Sequence, residues 1–263
     1  MGEGLKVLFI GDIVGRPGRN AVVRCLPRLV SERAPDLVIA NCENAAGGFG
    51  VTPEIATDLL DYGIDVLTSG NHVWDKKEIY DYISGSSRLI RPANYPEGAP
   101  GSGSIVAETG AARVAVINLS GRVFMGDLDC PFRAGRSMAE GLRRETPVVI
   151  VDFHAETTSE KMALGWYLDG TVSAVIGTHT HVQTSDERVL PGSTAYITDA
   201  GMTGPTDSVI GMRRETVIER FLTGMPTRFE VAAKGVELQG VFLTIDPASG
   251  KALSIERIKE RVD

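Results

Sequence analysis

In the segment LKVLFIGD, residues 5–12, a glycine and an aspartate follow a compact apolar run. Residues 5–10 combine β-branched and aromatic side chains, which predicts a buried strand. Asp12 then lies just beyond the end of that strand, where a polar side chain can reach a ligand. The same arrangement, a buried strand followed at once by polar residues, recurs along the chain.

Strand-like and helix-like segments alternate through most of the sequence. Thr52 and Pro53 predict a helix start, because the hydroxyl can cap free N–H groups and proline suits the first helical position. Asp75 and Glu78 form a capping-box pattern that predicts a helix over 76–83. The predicted strands are 5–10, 36–41, 64–69, 147–153, 172–177 and 193–198, and further helices are predicted at 18–33, which Pro27 should kink or shorten, and at 158–168.

Two regions depart from this alternation. SIVAE and RVAVINL, on either side of Gly110, predict an adjacent antiparallel pair after a stretch rich in proline and glycine. VELQGVFLTID and ALSIERI, joined by PASGK, predict a hairpin near the end of the chain. We therefore expect a single α/β domain over residues 1–263, with one large mixed sheet or two mixed sheets between helices.

Composition excludes several classes of function. A net charge of −7 without a long basic run argues against binding duplex nucleic acid through the general surface. The apolar runs are of strand length and the N-terminal segment lacks a signal-peptide pattern, so we expect no membrane contact and a cytoplasmic location. The three cysteines, Cys25, Cys42 and Cys130, have no paired spacing and are expected to be reduced.

Polar residues follow five of the predicted strands, and all four histidines of the chain are among them. In open α/β sheets the carboxyl ends of the strands gather at one edge, and ligand sites form there. His179 and His181 are two residues apart, so an extended backbone would place both imidazoles on the same side. The candidate site residues are Asp12, Glu43, Asn44, Asn71, His72, His154, His179 and His181.

Taken singly, these residues have ordinary explanations, since an aspartate after a strand often caps a helix and a histidine is often a satisfied, partly buried side chain. Their joint occurrence at five strand ends predicts a metal site. Carboxylate, imidazole and amide ligands suit manganese, iron or zinc. The number of ligands suggests two divalent ions, with Asp12, Asn44 and His181 on the first, Asn71, His154 and His179 on the second, and Glu43 bridging them.

The charge of such a centre predicts the class of substrate. Two divalent ions outweigh the carboxylates of Asp12 and Glu43, so the site is expected to attract an anion although the protein is acidic. Two metal ions about 3.5–4 Å apart are a known arrangement for hydrolysing phosphate esters, with a bridging hydroxide as the nucleophile. A small phosphodiester or phosphomonoester is the expected substrate. His72 is the candidate general acid for the leaving oxygen, or else a hydrogen-bond partner of a ligand.

Two other functions remain open. A metal amidohydrolase also uses a His-x-His pair, although that pair usually belongs to the first strand of a barrel and here follows a late strand. A regulatory protein that binds a nucleotide or a metal with little turnover would need the same ligands. These alternatives predict different results when hydrolysis of a phosphodiester is assayed with and without metal.

The order of these residues resembles that of the calcineurin-like metallophosphoesterase superfamily. The segments that carry the resemblance are similar to those of its bacterial YmdB-like branch and span nearly the whole chain: GDIVGRPGR, ANCENAAGGFG, SGNHVWDKKEI, GTHTHVQT, TDAGMTGPTDSVIG and RFLTGMPTRFEVA. The resemblance implies a four-layer α/β/β/α sandwich of mixed sheets, a dinuclear iron or manganese centre, and hydrolysis of phosphodiesters including 2′,3′-cyclic nucleotides. It also implies the ligand assignment given above, with His72 as the catalytic histidine, and makes a homo-oligomer plausible.

The chain departs from the wider superfamily at two points. Val14 stands where the first motif usually has a histidine, so Asn44 is expected to replace that ligand. The bridging carboxylate would be Glu43 rather than an aspartate, and Val73 rather than an acidic residue follows His72.

Two loops carry weaker signals. The loop over residues 199–210 has too little periodicity to be core and is expected to border either the substrate or a subunit contact. Arg122, Phe124 and Met125 are expected to belong to a packed loop rather than to touch substrate.

Overall fold

The computed structural model describes residues 4–262, in which strands and helices alternate. The strands are β1 (Leu5–Ile10), β2 (Asp12–Ile13), β3 (Leu37–Asn41), β4 (Val66–Thr68), β5 (Ser104–Glu108), β6 (Arg113–Ser120), β7 (Val148–His154), β8 (Ala174–Thr178), β9 (Arg188–Val189), β10 (Ala195–Ile197), β11 (Met202–Pro205), β12 (Val236–Ile245) and β13 (Ala252–Arg261). The helices are α1 (Gly15–Arg33), α2 (Pro53–Asp61), α3 (Ile79–Gly85), α4 (Pro131–Leu142), α5 (Thr158–Leu168) and α6 (Arg214–Thr223).

The first sheet is mixed. Its strand order is β2, β11, β12, β1, β3 and β4, and β13 also pairs with β12. β1, β3 and β4 run parallel, whereas β12 is antiparallel to both β1 and β13. The β12–β13 pair is the predicted terminal hairpin. Because β1, β3 and β4 share one direction, their carboxyl ends lie at a common edge.

The second sheet has the strand order β5, β6, β7, β8, β10 and β9. β6, β7, β8 and β10 run parallel, and β5 is antiparallel to β6, as the turn at Gly110 predicts. In this register His154 at the end of β7 lies opposite Thr178 at the end of β8. The second sheet therefore also places polar residues at the carboxyl ends of parallel strands.

The two sheets pack face to face, with helices on their outer faces. Along β1, Val7 and Phe9 lie in the core between the sheets together with Ile150 of β7. The alternate residues Leu8 and Ile10 pack in the outer core that α1, α2 and α3 cover. Helices α4 and α5 cover the outer face of the second sheet. The expected four-layer α/β/β/α sandwich is confirmed.

Several local expectations are wrong at element ends. Helix α1 begins at Gly15 rather than at 18, and Pro27 lies inside it without ending it before Arg33. The capping-box start is also wrong, because α3 begins at Ile79 and Asp75 lies in the turns before it. Helices α4 and α6 were not predicted at all.

The loop over 199–210 is only partly outside the core. Residues 199–205 are buried, and Met202–Pro205 form β11, which pairs with β2 and β12. This short strand, MTGP in sequence, contains a glycine and a proline and lacks the alternation of a strand, so periodicity could not identify it. Only the later part of the segment, ending at Ile210, reaches the surface.

The loop that follows β6 does not pack as expected. Arg122 is exposed, and Phe124 is 88% exposed with a left-handed backbone, φ 60°. The carboxylate of the buried Glu160 accepts backbone N–H groups of Arg122 and Val123, so the loop is held through its backbone while its side chains face solvent.

The cysteines lie within the described part of the chain. The cysteines there are free thiols, with Cys25 and Cys42 buried and Cys130 partly exposed. None of the helices within residues 4–262 has the length and apolar character needed to cross a membrane.

Candidate metal centre

Both sheets contribute strand ends to one cluster of polar side chains. Asp12 lies in β2, Glu43 and Asn44 follow β3, and Asn71 and His72 follow β4. His154 ends β7, and His179 and His181 follow β8.

A buried carboxylate joins the two sheets beneath this cluster. Asp152 of β7 accepts hydrogen bonds from Asn41 Nδ2 of β3, at 3.0 Å, and from Thr68 Oγ1 of β4. All three side chains have no exposed surface. This cross-sheet contact holds the carboxyl edges of the sheets together, so that ligands from both can meet.

His154 Nε2 is the point on which the cluster converges. It lies 2.9 Å from Glu43 Oε1, 2.9 Å from His179 Nδ1 and 3.1 Å from Asn71 Oδ1. One imidazole nitrogen carries at most one proton and cannot bond to three partners at once. Glu43, His154 and His179 also have ligand atoms that all lie within 4.8 Å of one another. Such convergence of oxygen and nitrogen atoms is typical of a metal-binding site.

Asp12 supplies an independent indication. It is fully buried, and its Oδ2 accepts the backbone N–H of His179 at 3.1 Å. Its Oδ1 has no hydrogen-bond partner among the described residues. A buried acceptor left unpaired costs about 1–3 kcal/mol or more when charged. A cation bound beside Oδ1 would remove that cost, so the donor set fits a metal.

A second contact lies next to the first group. His181 Nε2 is 3.2 Å from Asn44 Oδ1, while Asn44 Nδ2 donates to the carbonyl of Gly48 at 2.9 Å. The amide oxygen of Asn44 therefore faces the imidazole. Of the ligands expected for the first ion, Asn44 and His181 are in contact, and Asp12 joins the cluster through the backbone of His179.

The His-x-His pair does not lie on a strand as expected. Both histidines lie beyond β8 with positive φ, 101° at His179 and 62° at His181. A turn rather than an extended backbone brings the imidazoles to the same site. Non-glycine residues in such conformations cost about 1–3 kcal/mol each, and the surrounding structure must hold them there.

A buried ion pair supports this turn. Lys161 Nζ of α5 donates to Asp199 Oδ2 at 2.7 Å, and the same oxygen accepts both the backbone N–H and the hydroxyl of Thr180, between the two histidines. Lys161 and Asp199 are 1% and 0% exposed. Removing one partner of a buried pair typically costs about 3–5 kcal/mol. The pair therefore fixes the turn that presents His179 and His181.

Each histidine that is a candidate ligand has one ring nitrogen occupied by an acceptor. His179 Nε2 donates to Glu156 Oε2 at 2.9 Å, and His181 Nδ1 donates to the carbonyl of Ile210 at 2.9 Å. His154 Nδ1 contacts Thr178 Oγ1 at 2.9 Å. The Thr178 hydroxyl donates to the Asp152 carboxylate at 2.7 Å, so it can only accept from His154. These contacts direct the other nitrogen of each ring to the centre.

The titration behaviour follows from burial and close charges. Burial favours the neutral acid, but His154 outweighs it and lowers the pKa of Glu43 to about 2. Burial lowers and Glu43 raises the pKa of His154, with a net rise to about 9. Burial and the charge of His154 lower the pKa of His179 to about 3, and burial raises the pKa of Asp12. The Glu43 carboxylate thus stays ionised beside a positive charge, which a proton on His154 or a divalent cation can supply.

Gly70 is required by the close approach of the ligands. A Cβ at this position would lie 2.2 Å from Glu43 Oε2 and 2.4 Å from His154 Nε2, distances that no side chain can occupy. The turn after β4 therefore passes directly beneath both ligands, which brings Asn71 and His72 to the centre.

His72 lies at the edge of the centre. Its backbone N–H donates to Glu43 Oε2 at 3.1 Å, and its Nδ1 contacts Asp75 Oδ2 at 3.0 Å. Asp75 thus contacts His72 instead of capping α3. Both side chains are partly exposed, and His72 lines a pocket of about 480 Å³ that also contains Glu43, His179 and His181.

Sequence reasoning missed the residues that support the ligands. Asp75, Glu156 and Thr178 each contact a candidate histidine, and Asp152 lies behind Thr178. All four lie within three residues of a candidate, and closeness in sequence was the only signal that could have identified them.

Comparison with known proteins identifies the family of the chain. The profile of the family described as YmdB-like protein matches residues 8–258. A Bacillus subtilis protein named 2′,3′-cyclic-nucleotide 2′-phosphodiesterase is 53% identical over 255 residues, which cover 97% of this chain and 96% of the relative.

Two solved structures are also similar. A Thermus thermophilus hypothetical protein has a TM-score of 0.92 and 43% identity, with 98% of this chain and 100% of that chain covered. A structure described as a novel phosphatase of Mycoplasma pneumoniae has a TM-score of 0.94 and 37% identity, with 100% and 95% covered. On the family match and these relatives, the chain belongs to the YmdB-like protein family.

Proposed function

We propose that this chain is a metal-dependent phosphodiesterase that hydrolyses small phosphodiesters, with 2′,3′-cyclic nucleotides as the main class. The observation that carries the proposal is the convergence of Glu43, Asn71 and His179 on His154 Nε2. The name of the Bacillus subtilis relative supports the same substrate class.

The proposed centre holds two divalent ions, iron or manganese by preference and zinc as an alternative. Asn71, His154 and His179 would hold one ion, Asp12, Asn44 and His181 the other, with Glu43 bridging. When bound, the ions would polarise phosphoryl oxygens and lower the pKa of a coordinated water. Metal binding is supported by Asp12 Oδ1, which has no hydrogen-bond partner among the described residues and lies 3.6 Å from His154 Nδ1, and by acceptors on the outer nitrogens of His179 and His181.

The reaction forms a bond between a water oxygen and phosphorus and breaks the bond from phosphorus to the 2′ oxygen. The departing oxygen needs a proton, and His72 is the proposed donor. The attacking water loses one proton to solvent, and His72 regains a proton from solvent after the reaction. Its Nδ1 is engaged by Asp75, which leaves Nε2 as the nitrogen that can serve the substrate. The product is the nucleoside 3′-phosphate.

Asp75 is proposed to orient the imidazole of His72. Asp75→Asn is expected to lower turnover about 2- to 10-fold, the rate equivalent of one hydrogen bond worth about 0.5–1.5 kcal/mol, with bound metal unchanged. Steady-state kinetics and metal analysis check this. The matched control is Asp81→Asn, at an exposed aspartate of α3, and an equal loss in both variants would contradict the role of Asp75.

Hydrolysis of 2′,3′-cyclic AMP by the protein loaded with Mn²⁺ or Fe²⁺ tests the function directly. We expect multiple turnovers that yield 3′-AMP. Binding of stoichiometric metal and nucleotide without turnover would instead favour the regulatory binding protein. An amidohydrolase would leave the phosphodiester intact and cleave an amide substrate.

The domain organisation, cellular location and self-association of the chain are not required for the proposed activity. We infer that residues 1–263 act as one domain, since the core between the sheets draws side chains from strands throughout the chain. A cytoplasmic location and self-association remain predictions from the sequence.

A further inference from the structure

The pocket over the metal centre has two unlike walls. One contains four of the candidate ligands, Glu43, Asn44, His179 and His181, together with His72. The other is apolar and is formed by Val209, Ile210, Met212, Val217, Phe221 and Phe229, which we call the apolar wall. The volume of about 480 Å³ lies within the range of about 300–1,000 Å³ that small-ligand pockets have. A ligand held by the centre would therefore extend against the apolar wall.

The apolar wall is built from α6 and the segments that flank it. Val217 and Phe221 lie on α6, and Met212 pairs through its backbone with Val209 and Val231. The guanidinium of Arg220 lies 5.0 Å from the centre of the Phe229 ring. These contacts fix the wall without using the exposed face of Phe221.

An aromatic ring also lies on the ligand side of the pocket. Phe49 packs edge-to-face on the imidazole of His72, with ring centres 5.0 Å apart. Phe221, in the apolar wall, is 84% exposed. A planar group between the two walls would cover apolar surface that water otherwise contacts, which favours binding.

The charges of the pocket limit what such a ligand can carry. Among the described residues that line it there is no lysine or arginine, and the partly exposed carboxylate of Glu156 faces the same space. The lining itself therefore supplies positive charge only at the metal centre, and Arg220, which lies against the Phe229 ring, is outside the lining. A second phosphate on the ligand would find no cationic side chain in the lining and would lie in a pocket that contains a carboxylate.

We propose that the apolar wall binds the base of a cyclic mononucleotide through stacking on Phe221, and that the pocket selects against nucleotides carrying a further phosphate. This inference rests on the proposed function, because it assumes that the metal centre holds the phosphodiester. It makes Phe221 a specificity-determining residue for the reaction.

The test compares two substrates that differ only in the base: 2′,3′-cyclic AMP and methyl riboside 2′,3′-cyclic phosphate, which has a methoxy group instead. Phe221→Ala is expected to lower kcat/KM for 2′,3′-cyclic AMP about 5- to 100-fold, the range seen when a stacking aromatic is removed. The value for the methyl riboside should not change. Because Phe221 is mostly exposed, the variant is expected to fold normally.

The matched control is Phe124→Ala, at a phenylalanine that is 88% exposed and lies outside the pocket lining. It should leave both substrates unaffected. Equal losses on both substrates in Phe221→Ala, or no loss on 2′,3′-cyclic AMP, would overturn the proposal. A change in sedimentation of Phe221→Ala without a change in selectivity would also overturn it and would assign the apolar wall to a contact between copies of the chain.

A second comparison tests the charge argument. Wild-type protein is expected to act at least about 10-fold less efficiently on 2′,3′-cyclic AMP that carries a 5′-phosphate, because repulsion by Glu156 is not offset. Equal or faster hydrolysis of the phosphorylated substrate would contradict this part of the inference.

Failure of the proposed function can be told apart from failure of this inference. If the metal-loaded wild type hydrolyses neither substrate, calorimetric titration with the same two ligands replaces the kinetic comparison. If wild type binds 2′,3′-cyclic AMP more tightly than the methyl riboside and Phe221→Ala removes this difference, the apolar wall binds the base even though the protein is not an enzyme. Equal binding of both ligands would overturn it.

Discussion

His154→Ala is expected to release bound metal and to lower phosphodiester turnover by about 10³-fold or more, since the several kcal/mol that metal ions contribute to such transition states would be lost. His154 Nε2 contacts three other candidate ligands, so its removal leaves the cluster without its central atom. Elemental analysis of the purified variant and steady-state kinetics measure the two effects.

The control for His154→Ala is wild-type protein treated with a chelator. It should lose activity to a similar extent and regain it when Mn²⁺ or Fe²⁺ is restored, whereas the variant should not recover. Because His154 is fully buried, circular dichroism must establish that the variant is folded. A folded variant that keeps full metal content and full turnover would contradict the proposed centre.

His72→Ala is expected to lower turnover of 2′,3′-cyclic nucleotides about 10²- to 10⁴-fold, the usual contribution of a general acid, while metal content stays near the wild-type level. The contact between this residue and Glu43 comes from the backbone N–H, which alanine retains. The variant should therefore disturb the chemistry more than the ligands.

The leaving group provides a readout that a purely structural role would not affect. The p-nitrophenolate released from a p-nitrophenyl phosphodiester is a stable anion and needs little protonation. His72→Ala should therefore slow hydrolysis of this substrate much less than hydrolysis of a cyclic nucleotide. Metal loss equal to that of His154→Ala, or equal rate losses on both substrates, would reject His72 as the proton donor.

The sequence predicted the candidate residues because each lies at or beyond the end of a buried apolar strand, and apolar strands are a strong local signal in an α/β protein. Asp75 was misassigned because its local pattern fits a helix cap, whereas its carboxylate contacts His72, three residues earlier in the chain. The turn at His179 and His181 could not be foreseen, since Asp199 and Lys161, which hold it, are distant in sequence.

Two of the elements missed by sequence reasoning, β11 and α6, lack a clear apolar pattern. β11 is short and its residues do not alternate in polarity, so only its pairing with β2 and β12 makes it a strand. Helix α6 buries only Val217 and leaves Phe221 exposed, so its apolar residues do not form the stripe that marks a core helix. Hydrophobic periodicity in the sequence therefore could not identify the apolar wall.

Asp152 joins the two sheets through Asn41 and Thr68, and the candidate ligands come from both sheets. Ion binding and folding would therefore depend on each other. Glu43 and Asn71 come from one half of the sandwich and His154 and His179 from the other, so the ligand set is complete only after the halves have docked. Ions that bind only the docked form would raise its thermodynamic stability in proportion to the logarithm of their concentration. The availability of metal in the cell would then govern how much of this chain is folded as well as how much is active.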